Sequence, residues 1–231
     1  MKRLLKFTFT RGETTLWMAS AGLIIAAFML FDRVNYITLA ASLVGVTSLI
    51  FNAKGHPFGQ LLMVIFSAIY GYLSFVQAYY GEMVTYLGMT APMALVALIA
   101  WLRNPYSSNE PEVAVNRLRP IEIPFMLLFT AVVTFVFAVV LAAFDTAYLP
   151  LSTFSVTTSF IAVYLTFRRS PFFALAYAAN DVVLIALWLL ASREDPSSIS
   201  VVVCSCLFFV NDLYGFARWM KMQERQALQA A

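Results

Sequence analysis

Long apolar segments separated by short polar stretches run along the whole chain. Each segment has about 17–25 residues, the length that an α-helix needs to cross the hydrocarbon core of a bilayer. The polar stretches between most of them are short, such as NAKGHP at 52–57 and SREDPSS at 192–198. The pattern predicts eight membrane-spanning helices, at residues 14–31, 35–51, 58–80, 83–102, 123–144, 148–167, 171–191 and 199–217.

The composition is that of a membrane protein. Of the 231 residues, 61% are hydrophobic and 12% are charged, whereas soluble domains have about 25% charged residues. The mean hydropathy is +0.80. We therefore expect an all-α polytopic protein in the lipid bilayer. The basic segment MKRLLKFTFTRGE before the first span is expected to lie along the inner membrane surface, and no small-residue cleavage site follows Phe31.

The basic residues lie mostly on one side of the predicted spans. With eight spans both chain ends are on the same side, and thirteen of the fifteen Lys and Arg residues fall on that side. Only Arg33 and Arg193 fall on the other. Because basic loops stay in the cytoplasm, both termini are predicted to be cytoplasmic. The same bias accounts for the pI near 8.9 without a nucleic-acid partner.

The two halves of the chain resemble each other weakly. Residues 41–60 and 152–173 each contain a Ser/Thr-bearing helix that ends at a basic loop with a Pro-Phe pair. A Trp follows the Pro by 44 residues in the first half (Trp101) and by 48 in the second (Trp219). The similarity predicts two parallel three-helix repeats joined by one linker helix, a SWEET-like 1+3+1+3 architecture. The predicted units are 1–34 (N-terminal segment and extra helix), 35–103 (first bundle), 104–147 (linker and connecting helix), 148–221 (second bundle) and 222–231 (cytoplasmic tail).

Two Asn-Asp pairs interrupt the last two spans. YAANDVVLIALW (177–188) and FFVNDLYGFARW (208–219) each place a Trp seven residues after the Asp. An Asp in mid-membrane costs on the order of 2.5–3.5 kcal/mol and normally faces a cavity or a partner. Asp181 and Asp212 are the only charges predicted to lie deep in spans, so we expect both pairs to line a solute path. The alternative is that they only join helices through hydrogen bonds.

Other polar side chains fall on helix faces that could line the same path. A cavity lined by Asn, Asp, Gln and Tyr suits a flat solute with hydroxyl groups, because amides and carboxylates bind hydroxyls. Aromatic faces bind a ring, more strongly if it is cationic. The further candidates are Ser67, Tyr70, Ser74 and Gln77 on the third span, and Tyr86 and Thr90 on the fourth, near Pro92.

Three of the four tryptophans lie near span ends, where Trp commonly anchors a helix at the membrane interface. Trp17, Trp101 and Trp219 are therefore expected to be anchors rather than solute contacts. Trp188 fits either role.

Few residues in the chain suit other chemistry. Cys204 and Cys206 are two apart on a predicted helix and point to different sides, so we expect neither a disulfide nor a metal site. His56 lies in a loop and is the single His of the chain. The chain has no HExxH motif, no evident nucleophile with a His base and no GxxxxGK[ST] motif. We therefore expect no enzyme activity, no ATPase activity and no cofactor.

Three polar motifs carry a family resemblance. YYGEMVTYLGMTAP (79–92), RRSPFFALAYAANDVVLIALW (168–188) and FFVNDLYGFARWMKMQERQ (208–226) resemble the PnuC family of nicotinamide riboside transporters. The resemblance covers residues 35–226 and depends on ordered polar motifs inside spans rather than on apolar filler. The extra helix at 14–31 departs from the minimal members of the family.

The resemblance implies import of nicotinamide riboside by facilitated diffusion, with trapping by a cytoplasmic nicotinamide riboside kinase. It also implies a homotrimer in the bacterial cytoplasmic membrane, with a site between the two bundles of each protomer. Phe172 and Phe173 stand where the family has tryptophans. The residues that match family site positions in type are Gln60, Tyr70, Tyr177, Asn180, Asp181, Asn211, Asp212 and Tyr214.

The substrate stays open at this point. Relatives with this architecture carry thiamine, riboflavin or deoxynucleosides. Buried carboxylates beside aromatic rings favour a cation, which describes both nicotinamide riboside and thiamine. Proton coupling through Asp181 or Asp212 is a further alternative, and so is a role as the substrate-binding subunit of a separate ATPase.

Overall fold

The computed structural model describes residues 8–76, 80–107 and 110–230. Within these residues, eight helical segments are long and apolar enough to cross a membrane, which confirms the predicted number of spans. The expected interfacial segment lies mostly outside the described residues, as does Gln77. The helices are α1 Arg11–Ala27, α2 Tyr36–Ala53, α3 Phe58–Val76, α4 Tyr80–Thr85, α5 Ala91–Arg103, α6 Glu122–Ala143, α7 Leu149–Phe167, α8 Phe172–Ala191 and α9 Ile199–Ala230.

The helices form two groups of three. In the first helix group α2 and α4–α5 pack on α3, and in the second helix group α7 and α9 pack on α8. α6 packs along α7, and α1 contacts both α2 and α9, so the extra helix touches both groups. The end of the bundle where α1 begins and α9 ends is called the terminal end, and the opposite end is the distal end.

The fourth span consists of two helices. α4 and α5 are joined by a π-helical turn at Tyr86–Thr90, in which the regular hydrogen bonding of the α-helix is interrupted. Pro92 follows directly in the first turn of α5, where it has no N–H to donate to the preceding turn of the span. A second π-helical turn, Phe28–Asp32, ends the first span. Such turns reorient side chains within a helix, and Tyr86 and Thr90 both face an interior cavity.

The last helix continues well beyond its predicted end at residue 217, to Ala230. The residues after Trp219 are too polar to be recognised as part of a span by hydropathy, yet most of them favour helix. Tertiary contacts hold this extension in place. Gln226 is buried, donates to Val113 O at 3.1 Å and accepts from Val115 N at 2.8 Å. The helix thereby provides hydrogen-bond partners for two backbone groups of the linker.

Trp101 and Trp219 lie inside the protein, so the prediction that they anchor the chain at the membrane interface is wrong. Both are fully buried, with ring centroids 5.4 Å apart. Trp101 Nε1 donates to Thr166 O at 2.9 Å, and Trp219 Nε1 donates to Asn52 O at 2.7 Å. Both bonds cross between the helix groups. A position near a span end does not distinguish an interface anchor from an indole that joins two helix groups.

Glu13 is a buried charge at the terminal end. Its side chain is fully buried, and it accepts from Thr10 N at 2.8 Å in a capping box at the start of α1. It also pairs with Lys54 Nζ at 2.9 Å and with Arg218 Nη2 at 3.3 Å. Because Lys54 follows α2 and Arg218 lies on α9, Glu13 ties the extra helix to both helix groups.

Candidate functional site

A cavity of about 130 Å³, here called the central cavity, lies between the two helix groups. α3 and the α4–α5 span line one side, and α7, α8 and α9 line the other. No Lys, Arg or His side chain lines it within the part of the chain that the structure describes. Its ionisable and amide side chains are Glu82, Tyr86, Tyr177, Asn180, Asp181 and Asp212.

Asp181 on α8 and Asp212 on α9 face each other across the second helix group. Both are buried, at 4% and 5% exposure. The two carboxyl groups lie within hydrogen-bonding reach of each other, and Asp181 Oδ2 has no donor among the described residues. Two acceptors that meet in a membrane interior repel each other unless a proton or a cation lies between them. The pair therefore provides a place for positive charge at the cavity wall.

Asn180 is held so that its amide nitrogen is available to a solute. Its Oδ1 accepts from Ser155 Oγ at 3.0 Å and from Thr158 Oγ1 at 2.8 Å, both on α7. With the carbonyl oxygen occupied by these hydroxyls, the Nδ2 group remains as a donor. Ser155 also lines the central cavity. The site thus offers an amide donor and hydroxyl groups next to the two carboxylates.

Aromatic packing closes the central cavity towards the terminal end. Tyr177 lines the cavity, and its ring lies 6.3 Å from that of Phe173, one turn closer to the terminal end. The Phe173 ring lies 6.2 Å from Trp101 and 5.0 Å from Trp219. These three residues, Trp101, Phe173 and Trp219, form an aromatic plug. At the distal end the cavity has no such plug among the described residues, and Trp188 lines it there.

The structure brings four of the eight predicted site residues to the central cavity: Tyr177, Asn180, Asp181 and Asp212. Tyr70 does not line it, but its ring packs 5.1 Å from that of Tyr86, which does.

Three predicted residues lie elsewhere. Gln60 Nε2 donates to Asn52 Oδ1 at 2.9 Å in a buried contact between α2 and α3. Asn211 Nδ2 donates to Ser20 Oγ at 3.0 Å and joins α9 to α1. Tyr214 lies near Glu13 at the terminal end. Neighbours such as Asn211 and Asp212 differ by about 100° around a helix, so a sequence pair need not share a face.

Glu82 is a third carboxylate at the cavity, which the sequence pattern did not reveal. The sequence placed it in a loop before a span that starts at residue 83, but the fourth span begins at Gly81, so Glu82 lies at its start. Glu82, Tyr86 and Thr90 recur in steps of four and all line the central cavity. This spacing was the available signal, and the adjacent polar stretch YYGE hid it.

A larger cavity of about 270 Å³, the terminal cavity, lies at the terminal end. Its charge is opposite to that of the central cavity: Lys54, Arg218, Lys221 and Arg225 line it together with two glutamates. Among the described residues no group of three or more His, Cys, Asp or Glu side chains is placed to hold a metal ion.

Comparison with known proteins identifies the family of this chain. The model of the nicotinamide mononucleotide transporter family matches residues 35–221, a range that begins after α1. The nicotinamide riboside transporter PnuC of Neisseria mucosa is 24% identical over 209 residues, covering 88% of this chain and 79% of the relative. The crystal structure of the vitamin B3 transporter PnuC is similar with a TM-score of 0.83 and 22% identity, over 97% of each chain. The fold is therefore shared with that transporter.

Proposed function

The chain belongs to the nicotinamide mononucleotide transporter family, and we propose that it carries nicotinamide riboside across the membrane through the central cavity. The charge of that cavity is the observation that carries the proposal. Three carboxylates and several aromatic rings line it, and no basic side chain does among the described residues. Nicotinamide riboside has a cationic pyridinium ring and a neutral sugar, and both carboxylates and aromatic faces attract such a ring.

The same lining disfavours the phosphorylated mononucleotide. A phosphate carries about 1.5–2 negative charges at neutral pH and is normally bound by Arg, Lys or backbone N–H groups. In the central cavity it would meet Glu82, Asp181 and Asp212 instead. The riboside is therefore the better fit of the two, in agreement with the substrate named for the Neisseria relative.

Each part of the site has a proposed role. Asp181 and Asp212 balance the ring charge, because Asp181 Oδ2 has no donor among the residues that the structure describes. The Asn180 amide donates to sugar hydroxyls, since its oxygen is held by Ser155. Tyr177, with Tyr86 and Trp188, provides aromatic walls. Of the remaining predicted residues, Tyr70 supports Tyr86 from outside the cavity. Gln60, Asn211 and Tyr214 affect the site only by fixing how the helices pack.

The transport mode follows from the substrate charge. A membrane potential that is negative inside favours entry of a cation by about 2.3 kcal/mol per 100 mV, so facilitated diffusion requires no coupling ion. Phosphorylation by a cytoplasmic kinase then traps the riboside. The basic side chains of the terminal cavity fit a cytoplasmic terminal end under the positive-inside rule. The family resemblance adds a homotrimer in the bacterial cytoplasmic membrane.

Two alternatives rest on specific observations. Thiamine also has a cationic aromatic ring, and the acidic lining does not separate it from nicotinamide riboside. The contact between Asp181 and Asp212 would also suit a proton carrier. Uptake that responds to a protonophore at a clamped membrane potential would favour proton symport.

Binding to the purified protein tests the proposal. Calorimetry is run in parallel with nicotinamide riboside, the mononucleotide, thiamine, riboflavin and deoxythymidine. Saturable binding of nicotinamide riboside is expected, with Asp181→Asn and Asp212→Asn each weakening it about tenfold, the effect of one charge-assisted contact. Glu224→Gln removes an exposed carboxylate on the last turns of α9 and is the matched control. Equal affinity in all variants would make the aspartates structural, and thiamine binding alone would replace the substrate.

A further inference from the structure

A second cavity, the distal cavity, adjoins the central cavity at the distal end. It has a volume of about 120 Å³ and lies between the α1–α2 connection, the end of α3 and the start of α9. Glu82 and Trp188 line both cavities. These two residues therefore stand at the junction between the distal cavity and the central cavity.

Carboxylates line this route from one cavity to the next. Asp32 and Asp195 line the distal cavity, Glu82 lines both cavities, and Asp181 and Asp212 line the central one. Within the described residues, no Lys, Arg or His side chain lines either cavity. The charge of the route is thus of one sign, opposite to the basic lining of the terminal cavity. Clefts lined by one sign of charge concentrate ions of the other sign.

The innermost carboxylate has no counter-charge beside it in the part of the chain that the structure describes. Asp181 is 4% exposed, and its Oδ2 has no donor among the described residues. Its nearest charged neighbour, Asp212, is also acidic. A buried acceptor without a donor costs free energy of folding, so native proteins seldom retain one that has no role. The acidic lining therefore ends at an acceptor that is available to a proton, a water molecule or a solute.

Glu82 is positioned to act at the junction. It lies in the first turn of α4, one turn before Tyr86, and is half-buried. Ser74 lines the distal cavity beside it, and no ion pair neutralises the Glu82 carboxylate among the described residues. A half-buried, uncompensated carboxylate interacts with charge more strongly than one in bulk water, because the local dielectric constant is lower.

We propose that Glu82 is a specificity-determining residue, which with the carboxylates of the distal cavity admits positively charged solutes to the central cavity and disfavours neutral ones of the same shape. The inference rests on the proposed transport function. It adds the place on the route at which a solute is selected by its charge. The central aspartates bind the ring, whereas Glu82 acts earlier, at entry. Its removal is therefore expected to change the apparent affinity for a cation more than that for a neutral solute.

A pair of solutes that differ only in ring charge tests this. Nicotinamide riboside is cationic, and its 1,4-dihydro form has nearly the same size and no ring charge. Uptake of both is measured in proteoliposomes with the membrane potential clamped at zero, so that the potential does not favour the cation. Glu82→Gln is expected to raise KM for the cation about tenfold, within the range of electrostatic steering in clefts, and to leave KM for the dihydro form within about twofold. Glu82→Asp is expected to restore most of the preference.

The controls separate this inference from the transport proposal. Asp145→Asn removes an exposed distal-end carboxylate outside both cavities, from a residue with φ 48° that Asn tolerates, and is expected to change neither KM. Asp195→Asn tests the route if Glu82→Gln does not fold, and is expected to raise KM for the cation by a smaller factor. An unchanged ratio of the two KM values in folded Glu82→Gln would overturn the role of Glu82. Failure of the unmodified protein to transport nicotinamide riboside would overturn the proposed substrate instead.

Discussion

Trp101 and Trp219 each donate a hydrogen bond to the helix group that contains the other, with their rings 5.4 Å apart. Their acceptors, Thr166 O and Asn52 O, each lie five residues before the Pro of a Pro-Phe pair. Residues that the sequence repeat predicts to be equivalent therefore make equivalent contacts. Two parallel repeats related by an axis along the membrane normal would produce such a reciprocal pair.

The indole N–H groups of this pair are expected to stabilise the closed terminal end. Trp219→Phe keeps a ring but removes one of the two hydrogen bonds that Asn52 O accepts, the other coming from Gly55 N at 2.9 Å. Because the carbonyl keeps its second hydrogen bond, the loss is that of one hydrogen bond, about 0.5–1.5 kcal/mol. We expect the unfolding temperature in detergent to fall by several degrees, and Trp101→Phe to have a similar effect because it removes the equivalent bond.

Trp17 provides the control for these two changes. It is 39% exposed and donates to Thr47 Oγ1 at an exposed site, so Trp17→Phe is expected to have a much smaller effect. Equal losses in all three variants would show that the effect comes from ring size and not from the bonds between helix groups.

Glu13 is expected to stabilise the contact between α1 and both helix groups. Glu13→Gln would leave Lys54 and Arg218 without their shared anion. Removing one partner of a buried charge pair is strongly destabilising, and because Arg218 is partly exposed we expect a loss on the order of 2 kcal/mol. Thermal unfolding of Glu13→Gln measures this loss, with the exposed Glu224→Gln as control. An unchanged unfolding temperature would mean that the pairs contribute no net stability.

Gly59 is expected to tolerate no side chain. A Cβ at this position would overlap Asn52 Oδ1 and come within 2.8 Å of the Asn52 backbone N, which cannot move aside freely. Gly59→Ala would therefore also disturb the bond from Gln60 Nε2 to Asn52 Oδ1. We expect a loss of about 1–3 kcal/mol or poor recovery of folded protein. Gly22→Ala, where a Cβ meets nothing within 4 Å, is expected to keep or slightly raise the unfolding temperature.

His56 is expected to make stability depend on pH. The loop residue is buried, and burial together with nearby Lys54 lowers the pKa of His56 to about 4. Its Nδ1 accepts from Phe58 N at 3.0 Å, which requires an unprotonated nitrogen. Between about pH 6.5 and 4 the unfolded chain binds a proton that the folded chain does not, so stability falls as the pH is lowered through this window.

Unfolding temperatures at pH 7.5 and 5.0 measure this dependence. His56→Asn keeps an acceptor near Phe58 N and removes the titrating ring. We expect the decrease between the two pH values to be smaller in His56→Asn than in the unmodified protein. An equal decrease would assign the pH dependence to other groups.

The spans could be predicted because bilayer thickness and the absence of water impose length and composition on each helix separately. The same reasoning gives the end of a span and not the end of a helix, so it did not reveal that α9 continues over residues 218–230, where polar residues pack on the linker. It was wrong for Trp101, and it did not identify Glu82 as a residue of the cavity. A tryptophan at a span end and a glutamate near a loop have the same local pattern whether they face lipid, water or protein.

Sequence alone determined the eight membrane spans, the asymmetry of basic residues, the two Asn-Asp pairs and the family resemblance. Only the tertiary structure decided which polar residues meet: Asp181 and Asp212 join Glu82 at one cavity, whereas Asn211 binds Ser20 on α1. The physical reason is that insertion into the bilayer constrains each helix by itself. The rotation of a helix about its axis is set by packing against neighbours far away in the sequence.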